Sequence, residues 1–192
     1  MRTLIVYESM YGNTHVVAEA IAEGMRPRGE VHVVPVGDAT EDEVAWADIV
    51  VVGGPTHAHG MTSSASRKGA VDAVTKPDST LHLDPDAEGP GLRTWFDALG
   101  PVTQKHAAAF DTRFEMSAIL TGRASRGISH RLRKHGFTLV ADQESFFVDR
   151  QTALIDGEAE RATKWGEQLA HTYEWPPAEH EPGYHEGVGR TP

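Results

Sequence analysis

The sequence contains no cysteine, which excludes disulfide bonds, thiolate metal sites and cysteine nucleophiles. Basic residues are also scarce, because 18 Lys and Arg stand against 28 Asp and Glu and give a formal net charge of −10. This balance argues against a nucleic-acid partner, since phosphate backbones are bound by basic surfaces. No apolar run is long enough for a membrane span or a signal h-region. The sequence therefore predicts a soluble, cytoplasmic protein that binds neither nucleic acid nor membrane.

Several catalytic signatures are missing as well. The Gly-x-Ser-x-Gly motif of serine hydrolases does not occur. A receiver domain needs a cluster of acidic residues after its first strand, and only Glu8 is present there. His57 and His59 have no carboxylate cluster beside them, whereas a metal site needs three or four converging ligands. The sequence therefore predicts no metal site.

Strand and helix patterns alternate along the 192 residues, which is typical of one α/β domain with a parallel sheet. Pro35 falls in the second predicted strand and cannot donate to a ladder, which indicates an edge strand. The predicted strands are residues 4–6, 30–36, 49–52 and 105–110, and residues 138–148 are predicted to hold the fifth. The predicted helices are residues 14–25, 40–47, 62–75, 92–99, 123–135 and 158–173.

Two segments show neither pattern. Residues 76–91 contain three prolines and two glycines, and we interpret them either as a flap over a ligand or as a surface insertion. Residues 175–192 have almost no aliphatic side chains and cannot bury enough surface to offset their entropy. We expect them to form a disordered tail, or an arm on the partner subunit of a homodimer. The predicted domain spans residues 1–174.

The loop after the first predicted strand has the features of an anion site. It leads directly into a helix, whose first N–H groups lack intrahelical partners and carry partial positive charge. Gly12 can take a positive φ, and the loop contains no Lys or Arg. The loop thus indicates either a phosphate site held by backbone and short polar groups, or a plain turn with Asn13 or Thr14 as helix N-cap.

Two motifs resemble those of the flavodoxin family. Residues 9–14, Ser-Met-Tyr-Gly-Asn-Thr, resemble the flavodoxin phosphate loop Ser/Thr-x-Thr-Gly-Asn-Thr, which holds the 5′-phosphate of FMN. Residues 50–60, about forty positions later, resemble the third strand of that family and the loop along the flavin ring. The resemblance implies a doubly wound, five-stranded parallel sheet of strand order 2-1-3-4-5, in which the second strand is an edge.

The same resemblance implies which residues bind FMN. Gly60 is the candidate for a peptide that reorients towards the reduced flavin N5, and Arg113 for a cation near the N1/O2 edge. Arg113 could instead pair with Asp111 or Glu115. The implied cofactor-binding residues are Ser9, Met10, Tyr11, Gly12, Asn13, Thr14, Pro55, Thr56, His57, Gly60, Asp111, Thr112 and Arg113.

The sequence also departs from the family. Flavodoxins commonly hold the flavin ring between a tryptophan of the second loop and a tyrosine of the third, and neither residue is present here. The available rings are Tyr11, His57, Phe114 and Trp95. The resemblance implies an FMN-binding redox protein that transfers electrons to a partner protein or a small acceptor. The alternatives are an NAD(P)H-dependent quinone reductase of this fold, since residues 9–12 also resemble tryptophan-repressor-binding-protein-like reductases, and a binding module that has lost its flavin.

Overall fold

One sheet lies at the centre of the protein in the computed structural model, which describes residues 1–57, 60–117 and 121–172. Its strands are β1 (Arg2–Tyr7), β2 (Glu30–Pro35), β3 (Ile49–His57), β4 (Gly60–Met61), β5 (His106–Phe114), β6 (Thr138–Leu139) and β7 (Glu144–Val148). The order along the sheet is β2-β1-β3-β5-β6, all parallel, which confirms the predicted order of the five strand positions and the edge position of β2. The short β4 is antiparallel to β3.

The fifth strand position differs from the prediction because two short strands share it. β6 pairs with the start of β5 and β7 pairs with its end. Between the paired positions Leu139 and Glu144 the chain advances five residues, while β5 advances three, from Ala107 to Phe110. The two extra residues cannot enter the ladder, so they interrupt the predicted strand 138–148.

Helices cover both faces of the sheet. They are α1 (Asn13–Met25), α2 (Glu41–Trp46), α3 (Ser64–Val74), α4 (Leu92–Ala98), α5 (Ala124–Lys134) and α6 (Glu158–Thr172). Alternate residues of β1 enter opposite cores: Leu4 packs with Phe96 and Ile128, whereas Ile5 packs with Trp165. This arrangement explains the continuous apolar runs, because a strand covered on both faces has no solvent-facing side.

Two strands are longer than predicted. β3 continues through Gly53, Gly54 and Pro55 to His57, so these residues do not break the strand. A Cβ at Gly53 would overlap the ring of Phe110, and the glycine therefore serves side-chain packing within the sheet rather than a turn. β5 likewise continues to Phe114, so residues 111–113 lie inside its carboxyl end rather than in a loop after it.

The remaining predictions about chain organisation have different outcomes. Residues 76–91 contain no helix or strand before α4 begins, as expected. The predicted tail, 175–192, lies outside the described residues. Within the described part of the chain, every helix is too short or too polar to cross a bilayer.

Candidate functional site

The first loop places the open N-terminus of α1 at the carboxyl end of the sheet. Gly12 has φ of +90° and is the N-cap of α1, so the alternative in which Asn13 or Thr14 caps the helix is wrong. No side chain in the described part of the protein caps this end, and the first turn contains no acidic residue. The first N–H groups of α1 therefore remain available, with their partial positive charge, to an anion.

The side chains of the loop are held by hydrogen bonds but keep spare donors. The Gly12 N–H donates to Ser9 Oγ at 3.1 Å, which leaves the Ser9 hydroxyl proton free to donate. Asn13 Nδ2 donates to the Thr152 carbonyl at 2.5 Å and has a second N–H. The hydroxyls of Thr14 and Thr112 are 2.8 Å apart, so one of the two protons also remains for a ligand.

A cavity of about 450 Å³ lies beside this loop, within the range of roughly 300–1,000 Å³ that is usual for small-molecule sites. The lining residues are Ser9, Met10, Tyr11, Asn13, Thr14, Pro55, Thr56, His57, Leu81, Thr112, Arg113, Phe114, Thr121, Val148 and Thr152. The structure thus brings together most of the predicted site residues from β1, α1, β3 and β5. Gly12, Gly60 and Asp111 are the predicted residues that do not line the cavity.

Sequence reasoning missed four lining residues, Leu81, Thr121, Val148 and Thr152. Val148 ends the last strand, and Thr152 lies in the loop after it with φ of +63°. Ligands of open α/β sheets bind outside the carboxyl ends of the strands, so the end of the fifth strand position could have been predicted from that rule. Leu81 lies in the segment 76–91, for which the sequence left a flap over a ligand and a surface insertion open, and Thr121 carried no comparable signal.

Asp111 has a structural role instead of the predicted place in the cavity. It is fully buried, and its Oδ2 accepts from the Ser125 N–H at 2.8 Å and from the Thr56 hydroxyl at 3.2 Å. The Thr56 hydroxyl in turn accepts from the Ala124 N–H at 2.8 Å. Asp111 therefore caps the N-terminus of α5, where a carboxylate is favourable.

Substitution of Asp111 tests this role. Asp111→Ala is expected to lower the free energy of unfolding by about 1–3 kcal/mol, because the buried Ser125 N–H and the half-buried Thr56 hydroxyl lose their acceptor. Asp111→Asn should lose less of the free energy of unfolding, since its amide oxygen can still accept a hydrogen bond. Urea denaturation measures both effects, and an unchanged midpoint for the alanine variant would show that α5 does not need this cap. Ligand affinity should stay within a few-fold, because Asp111 does not line the cavity.

Arg113 lines the cavity and adopts neither of its alternative pairings. Its Nη1 donates to the Met116 carbonyl at 2.6 Å, and its guanidinium lies 4.7 Å from the centre of the Phe147 ring. No ion pair with Asp111 or Glu115 forms within the described part of the chain. Arg113 as a whole residue is 6% exposed. Burial lowers the pKa of Arg113, while Asp111 raises it and Arg123 lowers it.

Three of the four available rings lie at the cavity. The Tyr11 hydroxyl donates to the Ala70 carbonyl at 3.3 Å, and burial raises its pKa. Burial lowers the pKa of His57, whose buried Nδ1 meets no partner among the described residues. Phe114 lines the cavity and is 42% exposed to solvent. Trp95 is wrong as a candidate, because it is buried in α4 and its Nε1 donates to the Ala39 carbonyl at 2.8 Å.

The irregular segment 76–91 packs onto the first loop. The Asp84 N–H donates to the Met10 carbonyl at 2.9 Å, and Ala87 packs against Met10. Arg67 of α3 donates to the Ala87 carbonyl at 3.0 Å, which ties the segment to the domain. Leu81 brings the segment to the cavity. The segment is therefore more than a peripheral insertion, and its role as a flap over a ligand stays a prediction.

Gly60 pairs with His57 where β4 meets β3, and its proposed peptide reorientation stays a prediction. His59 lies outside the described residues. No group of three or more His, Asp or Glu side chains in residues 1–57, 60–117 and 121–172 is arranged to hold a metal ion.

Comparison with known proteins gives one consistent result. Residues 4–67 match the flavodoxin domain family. A flavodoxin of Aquifex aeolicus is 41% identical over 58 residues, which are 29% of this chain and 31% of that protein, so less than a third of this relative is matched. The residues of this chain that match the family, 4–67, include the first loop and the end of β3.

Solved structures extend the likeness to most of the chain. Oxidised flavodoxin 2 of Bacillus cereus aligns with a TM-score of 0.62 at 17% identity, covering 90% of this chain and 100% of the other. Oxidised flavodoxin 1 of the same organism aligns with a TM-score of 0.61 at 20% identity, covering 89% and 98%. At identities this low, the structural alignments show that the fold is shared and nothing more.

Proposed function

Because this chain belongs to the flavodoxin-like family, we propose that it binds one FMN and transfers electrons to a redox partner protein or a small acceptor. The observation that carries the proposal is the uncapped N-terminus of α1, which opens at a cavity of suitable size. When bound, FMN would supply the electron-accepting and electron-donating chemistry that the protein's own side chains lack.

The phosphate end of the ligand belongs at the first loop. The N–H groups of Asn13 and Thr14 and the spare donors of Ser9, Asn13 and Thr14 fit a phosphate, which accepts hydrogen bonds and carries negative charge. Among the described residues, no Asp or Glu lines the cavity to repel it.

The ring end belongs beside the carboxyl ends of the paired strands β3 and β5. Pro55 and His57 of β3 line this part of the cavity together with Thr112, Arg113 and Phe114 of β5. These residues offer apolar surface, a neutral imidazole and a cation. Thr56 contributes to the lining, while its hydroxyl also supports α5 through Ala124.

Titration of the apoprotein with FMN tests the proposal. Flavin fluorescence should be quenched to saturation at one FMN per chain at micromolar protein. Riboflavin, which has no phosphate, should bind at least about tenfold more weakly, because it forgoes charge-assisted hydrogen bonds worth about 1.5–3 kcal/mol. FAD should also bind worse than FMN. Absence of quenching at micromolar protein would contradict the proposed FMN binding and favour a flavin-free binding module.

The electron donor is tested separately. Turnover of a quinone with NADH or NADPH and this protein alone would indicate a reductase. Turnover only after addition of a flavoprotein reductase would indicate an electron carrier.

A further inference from the structure

We propose that the exposed face of α5 is a docking surface for an acidic redox partner protein. This surface, which we name the α5 strip, consists of Arg123, Arg126, His130, Arg133 and Lys134. The inference deepens the proposed function by giving the charge of the partner, and the redox role of that partner rests on the proposed function. Its basis is a concentration of cations in a protein with a formal net charge of −10.

The residues of the α5 strip share one face of the helix. They follow one another at steps of three, four, three and one residues, which at about 100° per residue confines them to an arc of about 100°. All of them are exposed. The opposite face is buried and carries Ala124, Ser125, Ile128, Ser129 and Leu132. The strip therefore faces solvent along the whole helix, a length of roughly 16 Å.

The positive charge of the strip is presented to solvent. The sequence of α5 contains no Asp or Glu. Arg131, which lies beside the strip, pairs with Asp97 of α4 at 2.6 Å. Within residues 1–57, 60–117 and 121–172, none of the side chains of the strip forms an ion pair. An acidic group of another molecule can therefore pair with these cations without displacing a carboxylate of this part of the chain.

Helix stability accounts for only one end of the strip. Arg133 and Lys134 lie in the last turn of α5, where the negative end of the macrodipole favours cations. Arg123 is the N-cap and Arg126 lies in the first turn, where the same dipole disfavours cations and an acidic residue would be stabilising. These two like charges are also only three positions apart. A local conflict of this kind is typical of a surface that serves binding rather than folding.

The N-terminal end of the strip adjoins the ligand cavity. The Ala124 N–H donates to the hydroxyl of Thr56, a lining residue, at 2.8 Å. Thr121 also lines the cavity and precedes Arg123 by two positions. A partner protein docked on the strip would therefore lie beside the cavity, as electron exchange with a bound flavin requires.

The charge pattern favours an acidic protein over a nucleic acid. Outside the strip the chain has a large excess of carboxylates, which repel a long polyanion. A folded partner with an acidic patch about 16 Å long can contact the strip without meeting those negative surfaces. Opposite charges at such a contact speed the encounter and fix the orientation of the two proteins.

Fluorescence anisotropy tests the docking surface with a labelled plant-type [2Fe–2S] ferredoxin, a small acidic redox protein, as the probe. Wild type should bind it at about 20 mM salt and release it at about 200 mM salt, where charges are screened over a shorter distance. Arg126→Glu should weaken binding at least about fivefold at the lower salt concentration, because a repulsion replaces an attraction. The same variant should melt no earlier than wild type, since glutamate in the first turn of a helix is favourable.

Lys164→Glu is the matched control. Lys164 is exposed on α6, which covers the opposite face of the sheet, and its substitution changes the net charge by the same amount. It should weaken ferredoxin binding less than about twofold, because it lies away from the strip. The second probe is a labelled oligothymidylate of about ten nucleotides, which should bind wild type at least about tenfold more weakly than the ferredoxin does.

Each other outcome contradicts the proposal. Equal ferredoxin affinities of Arg126→Glu and Lys164→Glu would overturn it, and so would absence of wild-type binding at the lower salt concentration. Tighter binding of the oligonucleotide would indicate a nucleic-acid surface instead. A salt-dependent dimer that is lost in Arg126→Glu would indicate a second copy of this chain.

The binding measurements do not require bound flavin, so they separate this inference from the proposed function. If the apoprotein fails to bind FMN but binds the ferredoxin through the strip, the docking surface is supported and the redox role falls. If the protein binds FMN and Arg126→Glu leaves ferredoxin binding unchanged, the docking surface falls and the proposed function is unaffected.

Discussion

Replacement of Ser9 by aspartate is expected to weaken FMN binding by more than about a hundredfold. The new carboxylate would lie at the N-terminus of α1 and compete with the phosphate for the same N–H groups. Two unit charges about 5 Å apart repel by about 3 kcal/mol at an effective dielectric of about 20, which corresponds to about two powers of ten in affinity. The phosphate carries more than one charge at neutral pH, so this figure is a lower bound.

Ser9→Asn is the matched control, because asparagine has nearly the size and shape of aspartate without its charge. Ser9→Asn should lower the FMN affinity by about tenfold or less. The aspartate variant should melt no earlier than the asparagine variant, since a carboxylate at a helix N-terminus is stabilising. Fluorescence titration gives the affinities and thermal denaturation the stabilities. Equal FMN affinities of the two variants would mean that the phosphate binds elsewhere.

A second large effect is expected where α1 crosses α6. A Cβ at Gly166 would overlap the Ile21 carbonyl, and one at Gly24 would overlap the Thr163 carbonyl. Backbone atoms cannot move aside as a flexible side chain can, so Gly166→Ala must push the helices apart. We expect the free energy of unfolding to fall by about 3 kcal/mol, the upper end of the usual cost of overpacking. Because α1 begins at the proposed phosphate site, FMN affinity should fall too.

Gly69→Ala is the control for this substitution. Gly69 lies in α3, and a Cβ there would meet no atom within 4 Å. Alanine should therefore stabilise the protein by about 0.5–1 kcal/mol through helix propensity alone. Urea denaturation of both variants measures the two changes in the free energy of unfolding, which should have opposite signs. A Gly166→Ala variant as stable as wild type would show that the two backbones are not in close contact.

Local patterns predicted the fold well, and the reason is physical. Runs such as Leu4 to Val6 are apolar at every position because helices cover both faces of the sheet, and Pro35 marks an edge strand because it has no N–H to donate. The boundaries were less predictable. β3 passes through its glycines because Phe110 of a neighbouring strand needs the space, and residue 53 alone cannot reveal that neighbour.

The sequence by itself determined the element order and the turn from strand to helix at the first loop. Both depend on short stretches of chain, namely the periodicity of apolar residues and a Gly-containing turn from strand to helix. Tertiary structure alone decided that Asp111 caps α5, that Trp95 belongs to the core, and that Thr152 joins the cavity from the far end of the chain. These assignments depend on which side of a strand faces which neighbour, and on contacts between residues up to 139 positions apart, such as Asn13 with Thr152.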